Sequence, residues 1–177
     1  RILRIESEKL GYPTNFTIYD SQDSKNLIKA IVKELGLDDK IYKPNIIANR
    51  ISNAKNNLVS AQAYINNTTI QADDRQSAKP KLGEIYETYS KRCFKAGAMD
   101  FDDLLFKTNV LLRDFPDILF KYQDKLSKEI LKDAPDILAL SNYCWNIELG
   151  YTLINWAKKI NPKLIVILGG PNFPTEV

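Results

Sequence analysis

Gly97-Ala98-Met99-Asp100-Phe101-Asp102-Asp103-Leu104-Leu105 is the stretch from which the rest of the chain is read. Asp100 is a favoured helix N-cap, and Asp103 falls three residues on, where a carboxylate answers free backbone N–H groups. Asp102 adds negative charge to the positive end of the helix dipole. Leu104, Leu105, Thr108, Leu111 and Leu112 then recur at helical spacing and predict an apolar stripe. Three carboxylates this close also raise the idea of a metal site, but a helix start accounts for their spacing by itself. Phe101 stands at the mouth of this helix, its ring turned into the core or offered to a ligand.

Outward from that turn, the first three-quarters of the chain reads as helices. Residues 1–19 give a short helix and an extended connector with a β-prone run, Phe16-Thr17-Ile18-Tyr19. Asp20 or Ser21 caps a helix with Leu27, Ile28, Ile31, Val32 and Leu35 on one face and Gly36 as its stop. Pro44 suits the first turn of a second helix. Its expected buried face is Ile46, Ile47, Ile51, Ala54 and Leu58, with Arg50, Asn53, Lys55 and Asn57 opposite. The polar run 60–80 predicts a short helix and a loop. A helix over 81–95 turns Leu82, Ile85, Tyr86, Tyr89 and Cys93 inward, and Gly97 ends it. Pro116 opens another, with Ile118, Leu119, Tyr122, Leu126 and Ile130 as its stripe.

After about residue 132 the pattern changes. Asp136–Ser141 and Leu164–Leu168 are short apolar runs of the buried parallel-strand kind, and residues 147–160 between them have helical spacing. The expected fold is therefore mainly α, a multi-helix domain over 1–125 followed by a linker helix and a C-terminal βαβ unit over 126–177.

Composition excludes several functions. With 177 residues, 44% hydrophobic and 27% charged, the chain is an ordinary globular sequence. There is no histidine, so histidine triads and histidine metal ligands are out. Two distant cysteines, Cys93 and Cys144, give no disulfide framework and no three-thiolate iron–sulfur cluster. No apolar run reaches membrane-spanning length, and a reducing cytoplasmic setting is expected. The opening Arg1-Ile2-Leu3-Arg4 has neither an initiator Met nor a signal-peptide pattern, as expected of a segment of something longer. A net charge of +3 permits a polyanionic partner without arguing for one. None of the seven glycines builds a G-x-x-x-x-G-K-[ST] phosphate loop.

The Ala98–Leu105 run resembles the A-[ML]-D-F-D-D-L-L segment of superfamily 1 DNA helicases of the UvrD/Rep/PcrA type, at the return from accessory subdomain 1B to the first motor domain. Asn15-Phe16-Thr17-Ile18-Tyr19-Asp20, Arg50-Ile51-Ser52-Asn53-Ala54-Lys55-Asn56, Ile85-Tyr86-Glu87 and Tyr122-Gln123-Asp124-Lys125 agree with that family in order and spacing. The likeness covers about residues 1–125. It implies a DNA-binding accessory piece of an ATP-dependent DNA helicase of the DNA-repair type, with single-stranded or tailed duplex DNA and the rest of the motor as partners. It also implies that Phe101 lies along the single-stranded DNA path. Arg50, Asn53 and Lys55 join it as expected DNA-binding residues, and Lys79, Lys81, Lys91 and Lys95 extend a phosphate-facing surface. The parent would use ATP and magnesium, but no cofactor is expected in this chain, where Leu126-Ser127-Lys128-Glu129 replaces the strand that would lead to the magnesium-binding Asp-Glu pair.

The tail has a different likeness. Pro135–Asn146 with Leu168-Gly169-Gly170-Pro171 is similar to the cobalamin-binding-like domain at the front of many radical-SAM enzymes. That resemblance implies a cofactor crevice at Ser141, Asn142, Tyr143, Gly169, Gly170 and Pro171. Two family patterns thus meet near residue 126, as in a natural fusion, a designed chimera or a misassembled frame. Besides the helicase reading, a truncated cobalamin-binding-like region and a composite with no ligand of its own stay open.

Overall fold

The computed structural model describes residues 1–133, 135–141 and 147–170. It is mainly helical and closes with a βαβ unit, as the two hydrophobic periods predict. Contacts divide the chain into two compact units, Arg1–Leu111 and Leu112–Val177.

The first unit opens with α1 (Ile2–Glu6), a 3-10 turn and β1 (Thr17–Tyr19). Asp20 then accepts from the backbone N–H groups of Gln22 and Asp23 while Asp23 accepts from that of Asp20, a complete capping box at the start of α2 (Ser21–Glu34). Gly36, at φ +64°, turns the chain at the end of α2, and the Leu37 N–H closes back on Val32. Pro44 begins α3 (Pro44–Asn56). Two short helices follow, α4 (Ala61–Asn66) and α5 (Thr68–Gln76), so the expected loop after residue 66 is a helix capped by Asn67. In α6 (Leu82–Lys95) all five residues expected to face inward are buried. Ile28, Ile31, Ile47 and Ile85 are each at most 1% exposed, and burial of such a side chain contributes about 1.5–3 kcal/mol.

The expectation of helices alone up to residue 132 needs a correction. β2 (Ala98–Asp100) pairs in parallel with β1, placing Thr17 opposite Ala98 and Tyr19 opposite Asp100. All three β2 residues are buried. Gly97, at φ +58°, makes the corner between α6 and β2, with Pro13 against it. α7 (Phe101–Asp114) begins directly from the strand. Its buried face is Asp103, Phe106 and Leu111, whereas Leu105, expected within the stripe, is 43% exposed.

The second unit holds α8 (Pro116–Asp133), β3 (Ile137–Ser141), α9 (Ile147–Ile160) and β4 (Ile165–Gly169). β3 and β4 are parallel, in register from Ile137–Ile165 to Ser141–Gly169. Ile118, Ala157 and Leu164 are buried here. The strands are not covered on both faces as expected, for Ile137, Ile165 and Ile167 are each more than half exposed. Among the described residues no helix is long and apolar enough to cross a membrane.

Candidate nucleic-acid interface

The turn that joins β2 to α7 is tied down from three sides. The Asp103 N–H donates to Asp100 Oδ1 at 2.7 Å, and the Asp100 N–H reaches back to Asp103 Oδ2 at 3.4 Å. Asp100 and Asp103 therefore act as the helix cap that their spacing predicts. Their outer oxygens hold a lysine from another helix: Lys55 Nζ lies 2.6 Å from Asp100 Oδ2 and 2.9 Å from Asp103 Oδ2. The Tyr89 hydroxyl, 3.0 Å from Ser24 Oγ, donates to Asp100 Oδ2 at 2.9 Å. Burial, reinforced by Asp100, drives the Tyr89 hydroxyl far above its usual range, so it stays protonated and remains a donor.

One cation faces two carboxylates in this network, and the imbalance shows in how the groups titrate. Burial works against the charge of Lys55, but Asp103 and Asp100 outweigh it and hold the ammonium above its ordinary value. Burial and the neighbouring Asp100 raise the Asp103 carboxyl despite the pull of Lys55.

Phe101 sits between these anchors. With Asp100 fixed before it and Asp103 after it, the first turn of α7 has one position, and the Phe101 ring projects outward, 63% exposed. It borders a groove of about 440 Å³. Lys25 and Ser24 of α2 form one wall, Asn45, Asn49 and Ser52 of α3 another, and Tyr89 and Asp100 also line it. Among the described residues, the side chains of Lys25, Asn45 and Asn49 have no hydrogen-bond or ion-pair partner within the protein. An exposed ring beside free amides and an ammonium suits a planar, partly polar ligand.

The other expected site residues are placed differently. Lys55 is corrected outright: its side chain is 3% exposed, not on an open phosphate-facing surface. The reason is helical: Ile47, Ile51 and Lys55 stand four residues apart on the row that α3 buries, and the two carboxylates supply its countercharge. Ile46, expected inside, is 45% exposed. Arg50 does not line the groove. Its Nη2 pairs with the buried Asp74 at 3.2 Å and its Nε donates to Tyr64 Oη at 3.1 Å. The Tyr64 hydroxyl, pushed up to about 12 chiefly by burial, itself donates to Asp74 at 2.9 Å. Asn53 is exposed, also outside the groove lining. Lys81, just before α6, pairs with Glu84 and Lys91 with Glu87 within α6, and Lys79 Nζ donates to the Ser77 carbonyl. Asn45 and Asn49 went unnoticed in the sequence, although their four-residue spacing on the polar face of α3 was there to be read.

In the tail, Ser141 and Gly169 are register partners at the ends of β3 and β4, and Gly170 follows at φ +136°. Asn142, Tyr143 and Pro171 lie outside the described residues. The cavity at these strand ends, lined by Ser141, Ile147, Gly150 and Leu168, holds about 10 Å³, the scale of one water molecule. No group of acidic or thiol side chains fit to hold a metal ion occurs among the described residues.

Comparisons with known proteins bear on the first 134 residues and beyond. The family model described as UvrD/REP helicase N-terminal domain matches residues 1–134. The ATP-dependent DNA helicase UvrD1 of Mycobacterium tuberculosis is 36% identical over 137 residues, covering 77% of this chain and 17% of that protein. The ATP-dependent DNA helicase PcrA of Leuconostoc citreum is 30% identical over 167 residues, 94% of this chain and 20% of that protein, so the similarity extends into the βαβ tail. The PcrA of Staphylococcus aureus is 34% identical over 125 residues, or 71% of this chain and 16% of its own length. The chain thus spans a fifth or less of the length of these relatives.

Proposed function

The chain belongs to the UvrD/REP helicase N-terminal domain family, and from that premise we propose that it is the DNA-contacting accessory subdomain, of the 1B kind, of an ATP-dependent helicase working in the cytoplasm. The observation that carries the reading is Phe101: an aromatic ring at a helix mouth, 63% exposed beside a groove, with the turn beneath it pinned by Lys55 and Tyr89. An exposed ring with a fixed base is a stacking platform for a nucleobase, because every base offers a π face and little side-chain freedom is lost on binding. Arg50 and Asn53, half-exposed and exposed on α3, lie outside the groove, and in this role they meet the sugar–phosphate backbone. ATP hydrolysis belongs to a phosphate loop that this sequence does not contain.

With a net charge of +3, binding by this chain alone is weak and salt-sensitive. Fluorescence anisotropy with labelled single-stranded and tailed duplex DNA at low salt measures it. Phe101→Ala removes one stacked base and weakens binding by about 1–3 kcal/mol, roughly five- to a hundred-and-fifty-fold. An F101A protein that binds as tightly as the parent overturns the proposal.

A further inference from the structure

Most of the cations nominated from the sequence are engaged elsewhere, Lys95 excepted, and three lysines without partners stand in a row that nothing above assigns. Lys25, Lys29 and Lys33 follow one another at four-residue spacing along α2, about 6 Å of rise per step. Among the described residues none of the three makes an ion pair or a side-chain hydrogen bond. Arg50, Lys55, Lys81 and Lys91, by contrast, each face a carboxylate within 3.2 Å.

The row also has a direction. It starts at Lys25, in the wall of the Phe101 groove. It continues to Lys29 and Lys33, which border a second cavity of about 550 Å³ with Val32, Tyr42 and Pro44. Asp38 and Asp39 line the same cavity and bound the basic stretch.

Charge inside the groove is of the opposite kind. Asp20, Asp100 and Asp102 line it against the single cation Lys25, and Lys55 beneath offsets only part of their charge. A phosphate entering there meets carboxylates, whereas an uncharged base meets the Phe101 ring and the free amides of Asn45 and Asn49. We propose that Lys25, Lys29 and Lys33 form the phosphate track of a single strand whose base occupies the Phe101 groove, so that α2 carries the backbone and the α3–α7 cleft carries the base. This rests on the DNA-binding reading above and adds the strand's path to it.

The test is the salt dependence of single-strand binding by the full chain. Three phosphate contacts to a single strand contribute about 2 to the slope of log K against log salt concentration. Lys25→Gln, Lys29→Gln and Lys33→Gln together therefore flatten the slope by about 2. They also remove most of the roughly fifteen-fold loss of affinity that those contacts bring between 50 and 200 mM salt. Lys79→Gln, Lys81→Gln and Lys91→Gln together change the net charge equally and leave the slope nearly unchanged. A strand with abasic sites keeps its phosphates, so on it the lysine effect persists while F101A has none. Circular dichroism confirms that both triple variants keep their helices. Equal flattening by the two triple variants overturns the track, because net charge alone then explains it. An unchanged slope in the α2 variant, with F101A still weakening binding, overturns the track and leaves the stacking reading standing. No binding by the parent chain overturns both.

Discussion

Replacing Lys55 by Met removes a charge while keeping most of the buried stem's volume, so the loss reads out electrostatics more than packing. In the parent protein Lys55 Nζ sits 2.6 and 2.9 Å from two carboxylates that are themselves almost fully buried. Without it, Asp100 retains the Tyr89 hydroxyl and the Asp103 N–H, but Asp103 retains the 3.4 Å contact with the Asp100 N–H and the longer-range pull of Lys107. Removing one partner of a buried ion pair costs about 3–5 kcal/mol, and the donors left to Asp100 favour the lower end, about 3 kcal/mol. For a unit of this size that lowers Tm by more than about 10 °C. Urea titration followed by circular dichroism measures the change. Burial and Asp100 already raise the Asp103 carboxyl, and losing Lys55 raises it further, so the folded variant takes up a proton more readily than the unfolded chain. The deficit is therefore largest where Asp103 is ionised in the folded variant and narrows as pH falls through its raised folded value. Adding Asp103→Asn removes the orphaned charge and recovers part of the loss in a double-mutant cycle. A Lys55→Met protein within about 0.5 kcal/mol of the parent refutes the reasoning, as does a loss that neither acid nor Asp103→Asn relieves.

Lys55 is held above its ordinary value of 10.5, so the stability it gives is complete below that pH and disappears as pH rises through the folded value. Thermal melts at stepped alkaline pH should fall in the parent and stay flatter in Lys55→Met. Arg50→Ala leaves the buried Asp74 with Tyr64 alone. Because Arg50 is 40% exposed, the loss is about 1–2 kcal/mol, read from the urea midpoint. Gly97→Ala puts a Cβ on a residue at φ +58° and within 3.2 Å of the Pro13 ring, which costs about 1–2 kcal/mol; an unchanged Tm would contradict it.

Where local chemistry was sufficient, the elements were readable in advance. α2 carries its own cap in Asp20 and Asp23, its own stripe, and its own stop in Gly36, all within one short segment. α6 buries the five residues that its spacing predicts, because Leu82, Ile85, Tyr86, Tyr89 and Cys93 fall on one face. Asp100 and Asp103 announced the cap of α7 by spacing alone. α5 escaped because most of its residues are polar, and the one sign of it, Asn67 as N-cap, stands in a run of Asn and Thr that equally suits a loop. β1 and β2 have three residues each, too few to show a period, and their partners are far apart in the chain.

The sequence by itself determined that this is a mainly helical chain with a βαβ end, and its motifs identified the helicase family. It also singled out the turn around Phe101 as the place to look. What only the tertiary structure decided is which charges are free. A lysine on a helix reads as a solvated side chain until its partners are known. The partners of Lys55 come from β2 and α7, brought beside α3 only when the chain folds. The same folding leaves Lys25 half-buried and Lys29 and Lys33 exposed, and among the described residues no carboxylate pairs with them. Coulomb attraction acts over a few ångströms, and a one-dimensional sequence does not record such distances.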